Sequence, residues 1–264
     1  MKFEKNNNFY EVYLGNCIYM MKLLRPNSYD MIFADLPYGT TNCKWDEVIP
    51  FDKLWEAIDY CTKDDSAIVL TASQPFTSAL VSSNYEWFRH EWIYQKTGAS
   101  NFAQAKYAPM KEHESVLVFS KKKPKYYPIK EERKGSGLAR SKYAYSDKSR
   151  KAVGEFMGQG INEGTHDTKK DAGNDELRYP SSVQLFNNRA KGDRGLHPTQ
   201  KPVALLEYLI QTYTKENEKV LDMVMGSATT GVACINTHRS FTGIELDPDI
   251  YKTAKDRIEN ALQQ

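Results

Sequence analysis

A carboxylate, a main-chain carbonyl held by a following proline, and an aromatic ring succeed one another at Asp35-Leu36-Pro37-Tyr38. Asp35 accepts hydrogen bonds through its carboxylate and Leu36 through its backbone oxygen, whose direction is restricted because Pro37 biases the residue before it towards an extended conformation. Two fixed acceptors suit an exocyclic amino group, which offers two donors, and Tyr38 supplies a flat face on which a base can stack. Taken alone, four such residues could equally be a strand ending in a proline turn. The run before them, Met31-Ile32-Phe33-Ala34, is apolar throughout, as in a strand buried on both faces. Asp35 to Tyr38 would then project beyond the carboxyl end of that strand, where open α/β sheets bind ligands.

Two later stretches carry residue types suited to holding a ligand. His197-Pro198-Thr199-Gln200-Lys201-Pro202 precedes Val203, Leu205, Leu206, Leu209 and Ile210, the apolar stripe of an amphipathic helix with Pro202 suited to its first turn. Exposed N–H groups at that helix start, with Lys201 beside them, make a carboxylate site. His197 is the weaker candidate as a metal ligand, because no partner stands at ligand spacing. Further on, Lys219 to Asp222 reads as a strand ending in an acid, followed by a turn containing Gly226, Ser227 and Ala228 and by a helix from Thr229. Small residues there let the backbone approach a ligand closely. A second strand ends at Glu245, 23 residues after Asp222, near the spacing at which α/β folds set an acid on ribose hydroxyls.

The elements that must position these residues follow from periodicity. Strands are expected over Phe9–Leu14, Ala67–Leu70, His90–Gln95 and Ser115–Phe119. Helices are expected from Ile18 to Leu24, from Phe51 with Asp52 as its cap, after Gln74-Pro75-Phe76, and from Asp249 to Leu262. Strands alternating with helices argue for a mostly parallel α/β sheet with helices on both faces.

The 264 residues are enough for one large domain or one domain plus an insertion. There is no long apolar run and no leader pattern, so no membrane partner and a cytoplasmic location are expected. The four cysteines lack C-x-x-C spacing and the five histidines do not cluster with them, which argues for packed thiols and no metal site. Net charge is +2, yet residues 121–195 hold 18 Lys/Arg against 10 Asp/Glu while the remainder holds 18 against 24. A basic block in an acidic body is the footprint of a nucleic-acid surface, and a solvated, flexible insertion is the alternative. Tyr126, Tyr127, Tyr143, Tyr145, Phe156, Tyr179 and Phe186 are interleaved with these charges. Lysines in the Lys121-Lys122-Lys123-Pro124-Lys125 run would touch phosphate, and Arg140, Lys142, Tyr143 and Arg178 fall among the candidate DNA contacts and readers.

Asp35-Leu-Pro-Tyr38 resembles the Asp-Pro-Pro-Tyr motif of amino-group DNA methyltransferases, with Leu36 in place of the first proline. His197 to Pro202 matches a six-residue signature of the same family in full. Leu221 to Thr230 resembles its Leu-Asp-Pro-Phe-x-Gly-Ser-Gly-Thr-Thr pattern, departing at Met223, Val224 and Ala228. Trp92–Lys96 and His113–Phe119 resemble later motifs, and the order is that of the beta class. The resemblance implies a Rossmann-like fold divided as a catalytic half over 1–120, an inserted target-recognition region over 121–195 and a cofactor-binding half over 196–264. It implies S-adenosylmethionine as cofactor, held by Asn16 (where the family usually has Asp), Asp35, His197, Thr199, Gln200, Lys201, Asp222, Gly226, Ser227, Thr229 and Glu245. Double-stranded DNA is the implied substrate, with methyl transfer to a flipped adenine at Asp35, Leu36, Pro37 and Tyr38. A homodimer and a cognate restriction endonuclease are further partners it allows. Cytosine amino methylation and a catalytically impaired DNA-binding relative remain the alternatives.

Overall fold

The apolar run before Asp35 forms the middle of a nine-stranded sheet. The computed structural model describes residues 1–39, 47–133, 177–188 and 200–264. His197, Thr199, Arg140, Lys142 and Tyr143 lie outside the described residues. The chain divides into two units, Met1–Tyr127 with Ser181–Gln264, and Pro128–Pro180.

In the larger unit the strands are β1 (Lys2–Lys5), β2 (Asn8–Leu14), β3 (Tyr29–Asp35), β4 (Thr62–Ala72), β5 (Phe88–Ser100) and β6 (Lys111–Phe119), then, after the smaller unit, β9 (Val183–Phe186), β10 (Lys219–Asp222) and β11 (Ser240–Glu245). Their spatial order is β1-β2-β11-β10-β3-β4-β6-β5-β9. β2, β11, β10, β3 and β4 pair in parallel, whereas β1 pairs antiparallel with β2, and β6 is antiparallel to both its neighbours. The helices are α1 (Cys17–Met21), α2 (Phe51–Cys61), α3 (Phe76–Ser83), α4 (Val203–Tyr213), α5 (Thr229–Asn236) and α6 (Pro248–Gln263). No helix among the described residues is long and apolar enough to cross a membrane.

Alternation along β3 divides the core. Met31 and Phe33 pack with Val69 and Val220 beneath α4, α5 and α6. Ile32 and Ala34 face the other way, against Leu54 and Ile58 of α2 and Leu80 of α3. Continuous burial is what a strand covered on both faces requires. The switch in strand order falls between β3 and β10, because β3 leads through α2 to β4 on one side and β10 leads through α5 to β11 on the other. Asp222 is level with Phe33. Asp222 and, two residues beyond its level, Asp35 therefore end the strands flanking the switch, where doubly wound sheets open a crevice.

Two expectations are corrected, on Asp52 and on residues 183–186, and two further groups are placed. Asp52 does not cap α2: Pro50 occupies that position and Asp52 sits in the first turn, where its charge complements the helix dipole. Residues 183–186, expected inside the insertion, form β9 and pair with β5 in the main sheet. Tyr126 and Phe186, two of the aromatics interleaved with the basic charges, pack within the larger unit, Tyr126 against His90 and Tyr213, and Phe186 against Tyr94 and Tyr208. The lysine run after β6, expected to touch phosphate, emerges at the edge of the sheet opposite to Asp35. Because β6 is reversed, its end lies beside the amino ends of β3 and β4, roughly 16 Å along β3 from Asp35 at about 3.3 Å per residue. There Lys121 bonds Asp59 and the Thr62 carbonyl, Lys122 pairs with Asp64 at 2.6 Å, and Lys125 pairs with Asp30 at 2.9 Å and Glu218 at 2.6 Å. Lys123 shares this location by sequence. Asp30 is buried and also accepts from Lys63 and the Lys219 N–H, so these charges brace the base of the sheet.

The smaller unit contains β7 (Glu131–Glu132) paired antiparallel with β8 (Leu177–Arg178). Arg178, expected to contact DNA, pairs with Glu131 at 3.1 Å across this ribbon.

Candidate active site

A cleft of about 690 Å³ opens at the switch between β3 and β10. It is lined by Asn16, Asp35, Pro37, Gln200, Lys201, Asp222, Gly226, Ser227, Thr229 and Glu245, which the sequence had set far apart. Leu36 is buried and Tyr38 half-buried at its edge. Roughly 300–1,000 Å³ is the usual range for a small-molecule site. Among the described residues no cluster of three or more His, Cys, Asp or Glu is arranged to hold a metal.

On the β3 side, Asp35 is held by three donors. Thr71, level with it on β4, and Tyr38 both donate to Oδ1, the tyrosine at 2.9 Å, and Lys201 donates to Oδ2 at 2.5 Å. A carboxylate offers about four lone-pair sites, and the donors among the described residues take three of them. The Tyr38 ring stacks on Phe76 at 5.2 Å, which fixes its plane from one side. Burial, and next the Asp35 charge, lift the Tyr38 phenol well above its ordinary value, so it acts as a donor throughout the physiological range.

Lys201 is buried and also meets Glu114 Oε2 at 3.1 Å, off the direction of a well-formed hydrogen bond. Glu114 is paired in turn with Lys96. Burial would raise the Glu114 carboxyl, but Lys201 and Lys96 outweigh it and hold it down at about 2. Burial would likewise lower the Lys201 ammonium, and Asp35 and Glu114 hold it well above the usual lysine value.

On the β10 side, Asp222 accepts from Thr230 Oγ1 at 2.5 Å and from the Val224 N–H at 3.2 Å. Its burial pushes the carboxyl up to about 7 despite these donors. The turn that follows takes Gly226 to φ +52° and Ala228 to φ +59°, the left-handed region. Ala228 is thus a non-glycine residue where the backbone favours glycine. Glu245 crosses from β11, its Oε2 accepting from Gly226 N–H and its Oε1 from Leu246 and Asp247 N–H. Arg257 of α6 donates to Ser227 and Thr229, fixing the start of α5. Asn16 caps α1 through its side-chain oxygen, which receives Ile18 and Tyr19 N–H, and so serves the turn as well as facing the cleft. Gln200 accepts from Ser227 Oγ, while its buried Nε2 has no hydrogen-bond partner among the described residues. Cys17 also lines the cleft, but burial pushes its thiol up to about 11 and leaves it a poor nucleophile.

The DNA methylase family model matches residues 29–256, most of the chain, from the start of β3 into α6. The chain belongs to the DNA methylase family. The type II methyltransferase M2.MboI of Moraxella bovis is 25% identical to it over 97% of this chain and 89% of its own. The DNA adenine methyltransferase YhdJ of Escherichia coli K12 is 26% identical over 94% and 82%. Among solved structures, the M1.HpyAVI–SAM complex superposes with a TM-score of 0.59 at 19% identity, covering 94% of this chain and 97% of that one. PvuII DNA methyltransferase, described as cytosine-N4-specific, gives 0.64 at 12% identity over 96% and 90%. These structural likenesses establish the shared Rossmann-like fold.

Within this DNA methylase, sequence reasoning missed Thr71, Glu114 and Lys96, which surround Asp35 and Lys201. Thr71 carried a usable signal, since it ends the apolar run of β4 as Asp35 ends that of β3. Lys201 was expected at the carboxylate of a cofactor, whereas its ammonium is directed at Asp35 and Glu114.

Proposed function

We propose that this DNA methylase transfers a methyl group from S-adenosylmethionine to the exocyclic amine of an adenine flipped out of duplex DNA. The observation that carries the reading is the carboxylate of Asp35, held by Thr71, Tyr38 and Lys201 with one acceptor position left among the described residues, at the rim of a cleft whose lining fits the cofactor. That fit rests on the paired acids Asp222 and Glu245 for hydroxyl donors, on Val224, Leu246 and Ile250 for an apolar ring, and on the orphaned Gln200 Nε2 for an acceptor. When bound, the cofactor supplies a methyl group activated on a sulfonium.

The chain's own residues account for the rest. Asp35 and the Leu36 oxygen accept the two amine hydrogens and so draw the nitrogen towards a geometry in which its lone pair is available. Tyr38, backed by Phe76, offers its outer face to the base, a contact worth about 1–3 kcal/mol. Thr71, Tyr38 and Lys201 keep Asp35 from rotating, so the acceptors are set before the base arrives.

Duplex DNA meets the carboxyl edge of the sheet in this reading. The turn between β5 and β6, residues 101–110, projects from that edge and exposes Phe102, Tyr107 and Met110, with Lys106 and Lys111 also exposed. Rings and cations together suit bases and phosphates. The type II naming of M2.MboI supports a cognate restriction endonuclease as functional partner. The test is to incubate the protein with duplex DNA and methyl-labelled S-adenosylmethionine and digest the product to nucleosides. Label in N6-methyladenine is expected. Label in N4-methylcytosine would overturn the choice of base, and no transfer would overturn the reaction.

A further inference from the structure

The turn between β5 and β6 is mounted more firmly than a surface loop needs to be. Its last strand pair is Ser100 with Lys111, and Ser100 Oγ donates to the Lys111 carbonyl at 3.2 Å. Below that pair the register slips between Gln95 and Ser100, and residues following β9 grip the slipped backbone. Asn188 takes both polar groups of Gly98, its Oδ1 accepting from the Gly98 N–H and its Nδ2 donating to the Gly98 carbonyl, each at 3.1 Å. Thr97 Oγ1 donates to Asn187 Oδ1 at 3.0 Å. From the other side, Lys111 Nζ donates at 3.3 Å to Ser73 Oγ, just past the end of β4. Within the turn, Pro109 restricts Ala108 towards an extended backbone.

This support carries apolar side chains into water. Tyr107 is 90% exposed, the highest figure for a large hydrophobic side chain among the described residues, and Phe102 is 64% exposed. Single exposed apolar residues are ordinary, but two rings in one turn beside the exposed Lys106 mark a contact surface. Stiffness bears on the kind of contact. A ring can lie along a duplex from a mobile loop, whereas a ring that has to part stacked bases folds back unless its mount is stiff.

The position agrees. Thr71 is level with Asp35, and Val116 with Thr71. Lys111 lies beyond Val116 along β6, so the turn starts roughly 16 Å past Asp35 at about 3.3 Å per residue, and two strands, about 10 Å, to the side. A nucleotide swung out by about 180° leaves its gap on the far side of its own backbone. Whatever fills that gap stands away from the carboxylate that reads the amine, yet on the same edge of the sheet.

Resting on the proposed methyl transfer to a flipped adenine, we infer that Tyr107 is a wedge whose ring enters the stack as the adenine leaves it. The ring stacks on the bases bordering the gap and offsets part of the cost of unstacking and unpairing. Lys106, next to it, meets phosphates of the opened duplex. The ring acts through its faces, so the hydroxyl is dispensable. The worth of a wedge depends on how much it costs to open the pair. A contact made from outside has the same worth on every duplex.

The test varies that cost. The methylated site is located by modified-base sequencing of mixed-sequence DNA treated with the wild type, and two duplexes carrying it are made. In one the target adenine faces thymine, and in the other it faces an abasic site, which leaves no pairing to break. The kcat/KM for transfer of labelled methyl from S-adenosylmethionine is measured for wild type, Tyr107→Ala and Tyr107→Phe. Tyr107→Ala should lose about tenfold or more on the paired target and come within about threefold of wild type on the unpaired one. Tyr107→Phe should stay within about twofold of wild type on both. Wild-type activity of Tyr107→Ala on the paired target would overturn the inference. So would a loss that shrinks by less than about threefold between the two duplexes, the mark of an outside contact. A loss in Tyr107→Phe as large as that in Tyr107→Ala would assign the effect to the hydroxyl and overturn it too. If the wild type methylates no DNA, the reading of the reaction fails and the wedge with it. If it methylates and the loss ignores pairing, the reaction stands and the wedge alone falls.

Discussion

Glu245 binds the turn after β10 to the end of β11: its Oε2 accepts from the Gly226 N–H at 2.9 Å, and its Oε1 closes the turn before α6. An acid expected to meet ribose hydroxyls is thus also a strut between the two loops that frame the cleft. Glu245→Ala should weaken S-adenosylmethionine by roughly 1–3 kcal/mol, the cost of a lost polar partner, and should lower the melting temperature of the free protein as well. Calorimetry and thermal unfolding check the two effects separately. Wild-type affinity with a lowered melting temperature would leave only the strut.

Ala228 adopts φ +59° and is fully buried. Replacing it with glycine removes left-handed strain of about 1–2 kcal/mol. The same change gives up a buried methyl worth about 0.8 kcal/mol and adds backbone freedom worth roughly 0.5–1 kcal/mol. Ala228→Gly should therefore leave stability within about 1 kcal/mol of wild type. Ala228→Val, a β-branched residue in a conformation it disfavours, should lose about 2 kcal/mol or more. Urea unfolding of the two variants measures both.

Burial pushes the Asp222 carboxyl up to about 7. The unfolded chain releases this proton near pH 4, whereas the folded protein keeps it until about 7, so the folded state binds more protons in between. Asp222's contribution is therefore full below pH 4 and is lost as pH rises towards 7, by an amount on the order of 4 kcal/mol at most. Asp222→Asn should lack this slope. Denaturant unfolding at pH 5 and pH 8 in both proteins gives the comparison, and equal pH dependence would place the proton elsewhere.

Lys125 and Lys106 should behave oppositely. Lys125 is engaged with Asp30 and Glu218 at the amino edge, so Lys125→Ala should destabilise the fold by about 1–3 kcal/mol. It should leave the salt dependence of DNA binding unchanged. Lys106→Ala, in the exposed turn near the cleft, should reduce that salt slope by about one while leaving stability alone. Tyr107→Ala should weaken duplex binding by about 1–3 kcal/mol. Titrations at several salt concentrations read all three, and a reduced slope in Lys125→Ala would restore the amino edge as a DNA surface.

What could be read from the sequence was local. The apolar run into Asp35 and the small-residue turn into Thr229 each depend on neighbours in the chain, and both fell where expected. What could not be read depended on strand direction. Periodicity identified Ser115–Phe119 as a strand without recording which way it runs. The reversal of β6 alone carries the lysine run away from the cleft and brings Glu114 to Lys201. The Lys201–Glu114 pair joins residues 87 positions apart, and neither stretch names the other. β9 was obscured differently: Val183 and Leu185 are its exposed positions and Gln184 and Phe186 its half-buried ones, an alternation that composition assigns to a loop.

The closed pairs at the base of the sheet bear on how charge is felt from outside. A lysine with its carboxylate 2.6–2.9 Å away, as in the pairs that Lys122 and Lys125 make, presents a dipole or a higher multipole to a distant phosphate. The field of such a pair dies away with distance faster than that of a lone ion. Lys121, Lys122 and Lys125 therefore count in the net charge of the chain and hardly at all in its long-range pull. A polyanion drifting past would be turned instead by positive side chains that lack a carboxylate at arm's length, and the molecule's orientation on first encounter would be set by those.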